Sequence, residues 1–441
     1  MRRYIVKLAQ QAARRAWEVH RSGGGFIRAV AGIMLPPDDC QACLLVAGHA
    51  TSPQFPSDWH AIVGFHDDPA TMRSRLRQFL DGQAGADIRA VAVLLGEGAA
   101  AGRADAAVLR LGERLPVDAL TVVGACYPRV ALGVSGSIAG TAPVTQSKGR
   151  ADDIWSRSRG AMGEETFNRL QSLRVAVVGC GRSGQLAANS LHRLGASVLL
   201  IDDDRVEWNS LGESPVLGPA DVGRQKAAAL ADHLRVGNTM VTGRVEPLPL
   251  SALDRRAVAA MRGSDLIVTT VDNGAARLLA NTVAALFLVP LLDVGTGVFG
   301  TTDSDQPAGL AARRLGADIR LVLPGRCLLC TGGIRDTASA RDALLAGNDT
   351  RRTSADFRGE RAGSLASLNG LAVNFGVQML LDWLAGRIRE DARWLQLQFD
   401  PQGHPSLESL TPARSGVCPL CRHAGRGDTG LSELRQIIAT L

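Results

Sequence analysis

Three cysteine pairs and one glycine-rich turn are the features of this chain whose spacing could do chemistry. Cysteines stand at positions 40, 43, 126, 180, 327, 330, 418 and 421, and six of them fall into C-x-x-C pairs. Cys327-Leu328-Leu329-Cys330 and Cys418-Pro419-Leu420-Cys421 each put two thiolates on a tight knuckle. Four thiolates suit a tetrahedral zinc ion, and a closed four-sulfur site is structural rather than catalytic. Residues 331–417 separate the two pairs, so a shared ion would tie the chain end back to the region before it. Cys40 and Cys43 have no second pair. His49 and His60 are near in sequence, but their spacing fits no zinc finger, and these thiols read as ordinary ones.

Gly179-Cys180-Gly181-Arg182-Ser183-Gly184 follows the apolar run "VAVV" and opens a helical pattern. Glycines there permit a tight turn and a close backbone approach, and a helix N-terminus favours phosphate. The next apolar run closes on Asp202, Asp203 and Asp204. Asp202 lies 21 residues after Gly181, which suits a carboxylate on a ribose hydroxyl. The pattern points to a nucleotide and does not choose between NAD, FAD and ATP. The plainer alternative is a turn used only for helix–strand packing.

The elements around these residues alternate. "RVAVVG", "SVLLI", "DLIVTTVDN" and "VPLLDVG" read as strands. "RSGQLAANSLHRLG", "DVGRQKAAALADHLR" and "AARLLANTVAALF" read as the helices between them. Such alternation implies a doubly wound, mostly parallel α/β sheet. A long helix over "SLASLNGLAVNFGVQMLLDWLAG" and a late strand "WLQLQFDP" imply a mixed tail. Residues 140–152, rich in Gly, Ser, Thr and Ala, read as a linker. It divides a smaller N-terminal α/β domain (1–150, linker included) from the nucleotide-type domain (151–441). In the first, "YIVKLAQQAARRAWEVH" has helical spacing, "TMRSRLRQFLDGQ" reads as a second helix, and five apolar runs read as strands.

The 441 residues are 46% hydrophobic and 21% charged, room for two or three packed domains and too apolar for a disordered chain. A formal charge of +6 without a run of five like charges gives no nucleic-acid tail. The most apolar stretch, "VAALFLVPLLDVGTGVFG", is broken by Pro290 and Asp293, so no membrane span is expected. The N-terminus lacks an apolar signal core, which makes the cytoplasm the expected location.

Several motifs occur in order across roughly 152–425. "WSRSRGAMGEETFNRLQSLRVAVVG" precedes the glycine turn, and Asp202-Asp203-Asp204-Arg205-Val206 follows it. Lys226 comes from "DVGRQK", and Asp272-Asn273 from "TTVDNGAAR". Arg277 and Asn281, then "RLVLPGRCLLC" and "GVCPLC", complete the set. Together they resemble the adenylating domain of the ThiF/MoeB/HesA family, which includes ubiquitin-activating enzymes. The resemblance implies a Rossmann-like fold, ATP, Mg²⁺ and Zn²⁺, and activation of a small ubiquitin-like β-grasp protein ending in glycine. A carboxylate oxygen would attack the α-phosphorus and expel pyrophosphate, so the protein's task is alignment and charge neutralisation. It implies Gly179, Gly181, Gly184, Asp202, Asp204, Asn209 and Asn273 as nucleotide contacts, with Asp202 on the ribose. It implies Asp272 on Mg²⁺, directly or through water, and Lys226 on the phosphates. Arg157, with Arg159 second to it, would be an arginine finger reaching the neighbouring subunit of a homodimer. A conjugating-enzyme partner belongs to such pathways, which occur in bacterial antiviral operons. A peptide- or sulfur-carrier adenylyltransferase and a catalytically weakened docking module are the alternatives.

Two departures stand out. Where the family has S-N-L-x-R, this chain has Asn209-Ser210-Leu211-Gly212-Glu213, with glutamate in place of a phosphate-binding arginine. Residues 331–417 contain no cysteine, and the family's thioester position falls on "DFRGE", so the chain is expected to stop at the acyl-adenylate or to pass it directly to another protein's nucleophile. In the N-terminal domain, "HATSPQFPSDWH" faintly resembles the metal-site stretch of JAB-type deubiquitinating domains. Thr51 and His60 replace two of its three ligands, leaving His49, and Glu18 would be the acid. A degenerate, partner-binding domain is the expectation rather than a peptidase.

Overall fold

The computed structural model describes residues 3–22, 27–34, 41–47, 59–66, 89–96, 103–110, 113–124, 128–134, 154–212, 214–238, 241, 243–300, 313–334, 336–346, 365–412 and 418–441. They build two eight-stranded sheets, one from residues 3–134 and one from residues 174–410.

The first sheet holds β1 (Arg3–Ala9), β2 (Ile27–Met34), β3 (Gln41–Ala47) and β4 (Trp59–His66), then β5 (Arg89–Gly96), β6 (Arg103–Arg110), β7 (Glu113–Val123) and β8 (Pro128–Val134). Its order is β1-β3-β2-β4-β5-β6-β7-β8, and β1 also pairs with β7. Seven strands therefore run in a closed ring, with β8 attached to β7 and β6. Closure removes the open edges that would invite pairing with another chain. The helix Gln10–Arg21 lays Ala12, Ala13 and Ala16 on the core residues Val6, Leu8, Leu44, Val46 and Val63. Arg14, Arg15 and Glu18 stay exposed on its other side.

The helix expected from Tyr4 onward begins only at Gln10. Val6 and Leu8 are fully buried while Ile5 and Lys7 between them are not, an alternation of period two. Parallel pairing of this segment to both β3 and β7 overrides its helical spacing. The five expected strands correspond to β2, β3, β4, β5 and β7. β6 and β8 were not foreseen, and the expected helix near residue 75 lies outside the described residues.

The second sheet runs β11-β10-β9-β12-β13-β14-β15-β16. β9 (Arg174–Val178), β10 (Ser197–Ile201), β11 (Val245–Leu248), β12 (Leu266–Thr269) and β13 (Leu291–Gly300) are parallel. β14 (Arg313–Val322), β15 (Ala392–Phe399) and β16 (Pro405–Leu410) add an antiparallel tail. This is the doubly wound α/β sheet with a mixed tail that the sequence implies. Its strands alternate between two cores. Val175, Val177, Val198 and Leu200 face the helices Arg182–Arg193, Lys226–Gly237 and Ala366–Leu384. Ala176, Val178, Leu199 and Ile201 face the helices Arg255–Arg262 and Gly274–Phe287. Helices on both faces explain why these strands read as continuous apolar runs.

The ring and the second sheet share packing. Ala9, Cys43 and Leu45 join the core that contains Phe287, Cys327 and Leu420. Ile33 of β2 bridges Gly427 near the chain end. The Trp383 indole donates to the Gly124 carbonyl at 3.1 Å, and Lys7 Nζ to the Phe287 carbonyl at 3.3 Å. No helix among the described residues is long and apolar enough to cross a membrane.

Candidate functional site

β9 and β12 lie side by side, while the chain leaves them toward opposite faces of the sheet. A crevice at the carboxyl ends of such strands is where doubly wound sheets bind ligands. The glycine turn leaves β9 there, and Thr270-Val271-Asp272-Asn273 leaves β12. The Thr270 hydroxyl donates to the Gly179 carbonyl at 2.9 Å and stitches the two exits together.

Gly179 has φ +94°, a conformation that a side chain rarely adopts. At Gly184 an added Cβ would lie 1.9 Å from the Gly179 carbonyl oxygen, so the helix packs directly on the turn. At Gly181, the N-cap of the helix Arg182–Arg193, an added Cβ would meet nothing within 4 Å. The three glycines thus supply a turn, close packing and open space for an approaching group, the division of labour of a phosphate-binding turn.

Asp202 ends β10 beside the turn. One carboxylate oxygen accepts the Cys180 N–H at 2.6 Å, and the other accepts the Asp204 N–H at 2.8 Å. It therefore braces the glycine turn from outside. Burial pushes its carboxyl up to about 6, against the pull of Lys226. Lys226 is the first residue of its helix, and its Nζ donates to Asp204 Oδ2 at 2.8 Å. Burial presses the ammonium toward neutrality, but Asp202 and Asp204 outweigh it and hold it above the ordinary lysine range. This helix starts later than "DVGRQK" suggests. Gly223 turns with φ +88°, and Gln225 bridges Arg205, so the chain passes through a turn and a β-bridge before the helix opens at Lys226.

Asp272 is exposed at the rim of the crevice. Asn273 beside it caps the helix Gly274–Phe287, its side-chain oxygen accepting the Ala275 N–H at 2.8 Å. Arg277 holds this loop from below. It donates to the Val271 carbonyl at 2.6 Å and to the buried Asp293 carboxylate at 2.9 Å. Asp293 also accepts from the Thr269 hydroxyl at 2.6 Å. Thr269, Thr270 and Asp293 were not singled out in the sequence, because each becomes informative only through partners far along the chain. Asn209 is exposed on the short helix after the acidic strand end, and its carbonyl accepts from Arg182 Nη2 at 3.3 Å. Glu213 lies outside the described residues.

Arg157 is exposed on the helix Ser156–Met162, while Arg159 lies over the Phe167 ring and pairs with Glu164 at 3.3 Å. Trp155, just before this helix, donates to the carbonyl of Arg193, the last residue of the helix Arg182–Arg193. The glycine turn is at that helix's other end, about 17 Å away at 1.5 Å per residue.

The four knuckle cysteines converge. Cys327 and Cys330 sulfurs are 3.8 Å apart, Cys327 and Cys418 3.6 Å, and Cys330 and Cys421 3.8 Å. All four lie within 4.8 Å of one another. Tetrahedral zinc with Zn–S bonds of about 2.3 Å puts its sulfurs about 3.8 Å apart, so the donor set fits that ion in number, softness and spacing. The first knuckle is fixed by Asn281, whose side-chain oxygen accepts the Leu328 N–H at 2.8 Å. His423 adjoins the second knuckle but is buried between Arg422 and Arg426; burial and those charges push its imidazole down to about 4.

The two remaining thiols among the described residues are poor nucleophiles. Burial, reinforced by Asp202, raises the Cys180 thiol well above the ordinary cysteine value, and burial raises Cys43 to about 11. Cys40 and Cys126 lie outside the described residues, as do His49 and Thr51 of the JAB-like stretch. His60 falls on β4, on a ring strand.

The ThiF family pattern matches residues 155–403. The SAMP-activating enzyme E1 of Haloferax volcanii is 36% identical over 132 residues, 30% of this chain and 48% of that protein. The sulfur carrier protein adenylyltransferase of Thermus thermophilus is 33% identical over 136 residues, again 30% and 48%. The chain thus spans about half the length of these curated relatives. Among solved structures, E. coli MccB with ATP aligns over 61% of this chain and 74% of that one, at 18% identity and TM-score 0.45. The family match takes in the glycine turn, the acidic strand end, Lys226, Asp272 and the first knuckle over more than half of the sequence: this chain belongs to the ThiF family.

Proposed function

We propose that this chain uses MgATP to adenylate the C-terminal carboxylate of a small protein of the ubiquitin-like or sulfur-carrier class. The observation that carries this reading is the convergence of the glycine turn, the Asp204–Lys226 pair and the Asp272 loop at one strand crossover. The named relatives from Haloferax volcanii and Thermus thermophilus point to the same two substrate classes. A ubiquitin-like substrate would lead to conjugation, and a sulfur carrier to biosynthesis. An antiviral setting belongs to the first branch and is tested by whether a β-grasp gene ending in glycine adjoins this one.

In this reading a substrate carboxylate oxygen bonds to the α-phosphorus while the bond to pyrophosphate breaks. No proton need move, so the protein contributes placement and charge. The glycine turn offers main-chain N–H groups at the helix start. Asp202, already bracing the turn, accepts from the ribose through its spare lone pairs, with Asp204 and Asn209 beside it. Lys226 faces the phosphates. Asp272 and Asn273 stand at the opposite rim, where Asp272 would hold Mg²⁺, a hard cation that prefers oxygen ligands. The four knuckle cysteines would hold a structural Zn²⁺ away from the reaction. The helix carrying Arg157 is anchored about 17 Å from its own turn, which favours action on the neighbouring site of a homodimer.

The test is ATP–pyrophosphate exchange with candidate β-grasp proteins ending in glycine. Exchange that depends on the partner's free carboxylate is expected. Binding of ATP with no exchange toward any such protein would favour a docking role instead. After incubation a non-reducing gel should show no thiol-sensitive adduct on this chain, because residues 331–417 hold no cysteine, Cys43 and Cys180 are buried and the knuckle thiols would be held by zinc; a reducible adduct lost in Cys126→Ala or Cys43→Ala would overturn this.

A further inference from the structure

The site as described is poor in available positive charge. Asp202, Asp203 and Asp204 cluster beyond β10, with Glu207 following them in the chain, and Asp272 follows β12. Lys226 is already bonded to Asp204, and Arg205 donates to the Gly223 carbonyl at 2.6 Å. A triphosphate brings several more negative charges, and the departing pyrophosphate gains another. In the adenylation reading Mg²⁺ and Lys226 meet part of this charge, and a cation at the glycine turn itself would add to them.

Arg182 is placed to do so. It is the first residue of a twelve-residue helix and directly follows Gly181. Its guanidinium reaches toward the Trp208–Leu211 helix, with Nη2 donating to the Asn209 carbonyl at 3.3 Å. That is a long bond to a neutral acceptor, and no carboxylate pairs with Arg182 among the described residues. Its Nε is shielded from solvent and has no acceptor among them. A desolvated guanidinium donor without an acceptor costs free energy that a phosphate oxygen would recover. Arginine's planar fork also suits phosphate, which can take two parallel N–H bonds. At Gly181, the residue before Arg182, an added Cβ would meet nothing within 4 Å.

We propose that Arg182 clamps the polyphosphate beyond the α-phosphorus and neutralises the departing pyrophosphate, a role that rests on the adenylation reading above. It would supply, from inside the glycine turn, the charge that Glu213 withholds downstream.

The experiment compares calorimetric affinities of the intact chain for MgATP and for AMP. Arg182→Gln should weaken MgATP binding roughly tenfold or more, the scale of one charge-assisted hydrogen bond, and leave AMP within about twofold. Arg182→Lys should recover part of the loss, keeping the charge but not the fork. AMP binding serves as the control for folding. Equal weakening toward both nucleotides would make Arg182 a packing residue of the turn, and no weakening would remove it from the site. Either result overturns the proposal while leaving the adenylation reading in place. A wild-type chain that binds neither nucleotide would remove both.

Discussion

The glycine-turn site and the cysteine cluster share one helix and are built on opposite rules. The start of the helix Gly274–Phe287 carries the loop with Asp272, and one face of its middle carries Asn281, which grips the first knuckle. At the first end the groups are hard oxygens and main-chain N–H donors, with exposed rims and charges of both signs close together. At the second the donors are soft sulfurs, closely spaced and packed among Leu328, Leu420 and Phe287. An open site must let a charged ligand in and product out. A closed one has to do neither, so it can invest its binding energy in holding the chain together. The difference should appear in how each fails.

The largest effect belongs to the cluster. Cys418→Ser, or removal of metal by a strong chelator, should lower the unfolding midpoint by about 10 °C or more, since the binding energy of such a site is folding energy. Metal analysis should find about one zinc per chain. A metal-free protein with an unchanged midpoint would show that the four sulfurs merely sit together.

Next comes the open site, where chemistry should fail and folding should not. Asp272→Ala and Lys226→Ala should each cut pyrophosphate exchange by roughly a hundredfold or more, with the midpoint held within a few degrees. Asp272→Ala chains mixed with Arg157→Ala chains should regain part of the activity, because one site of each heterodimer recovers both groups. Full activity in both single variants would move the reaction away from this crevice. Silent heterodimers would return Arg157 to its own subunit or to no role.

The smallest effect is a pH dependence. The Asp202 carboxyl lies at about 6 in the folded chain, above its ordinary value of 3.8. The folded state therefore binds this proton more tightly than the unfolded state. Stability from this group is greatest below the unfolded value and is lost as pH rises through about 6. Asp202→Asn removes that titration, so its midpoint relative to wild type should rise between pH 4 and pH 7. A constant difference across that range would mean that Asp202 titrates normally.

How much of this was legible depends on whether the signal was contiguous. The glycine turn, the acidic strand end and each knuckle are short runs whose residue types follow from local chemistry. The parallel strands β9, β10, β12 and β13 were legible because helices cover both faces, whereas β11 was not, since "VEPL" is a short edge run interrupted by Glu246 and Pro247. β14 was missed because "RRLGADIRLV" mixes charge and glycine, and its register comes from β13 and β15. The ring was hidden for a similar reason. Its closure rests on parallel pairing of β1 with β7, more than a hundred residues away. Arg182 could be read only as one letter within a glycine motif. That its Nε has no acceptor among the described residues, while Nη2 reaches only the Asn209 carbonyl, appears once the Trp208–Leu211 segment is folded beside it.

The bridge from Ile33 to Gly427 has a consequence for the order in which the protein is made. The ring leaves the ribosome well before the segment it rests on. At about 5–20 residues per second, tens of seconds separate the two. Throughout that interval Ala9, Cys43 and Leu45 lack their final cover, because Leu420 and Ile437 of the same core have not been synthesised. The knuckle cannot close earlier either, since Cys418 and Cys421 belong to that later segment. Closure of the knuckle and burial of the ring's apolar flank thus fall together, once residues 418–437 have been made, and until then that flank is open to aggregation.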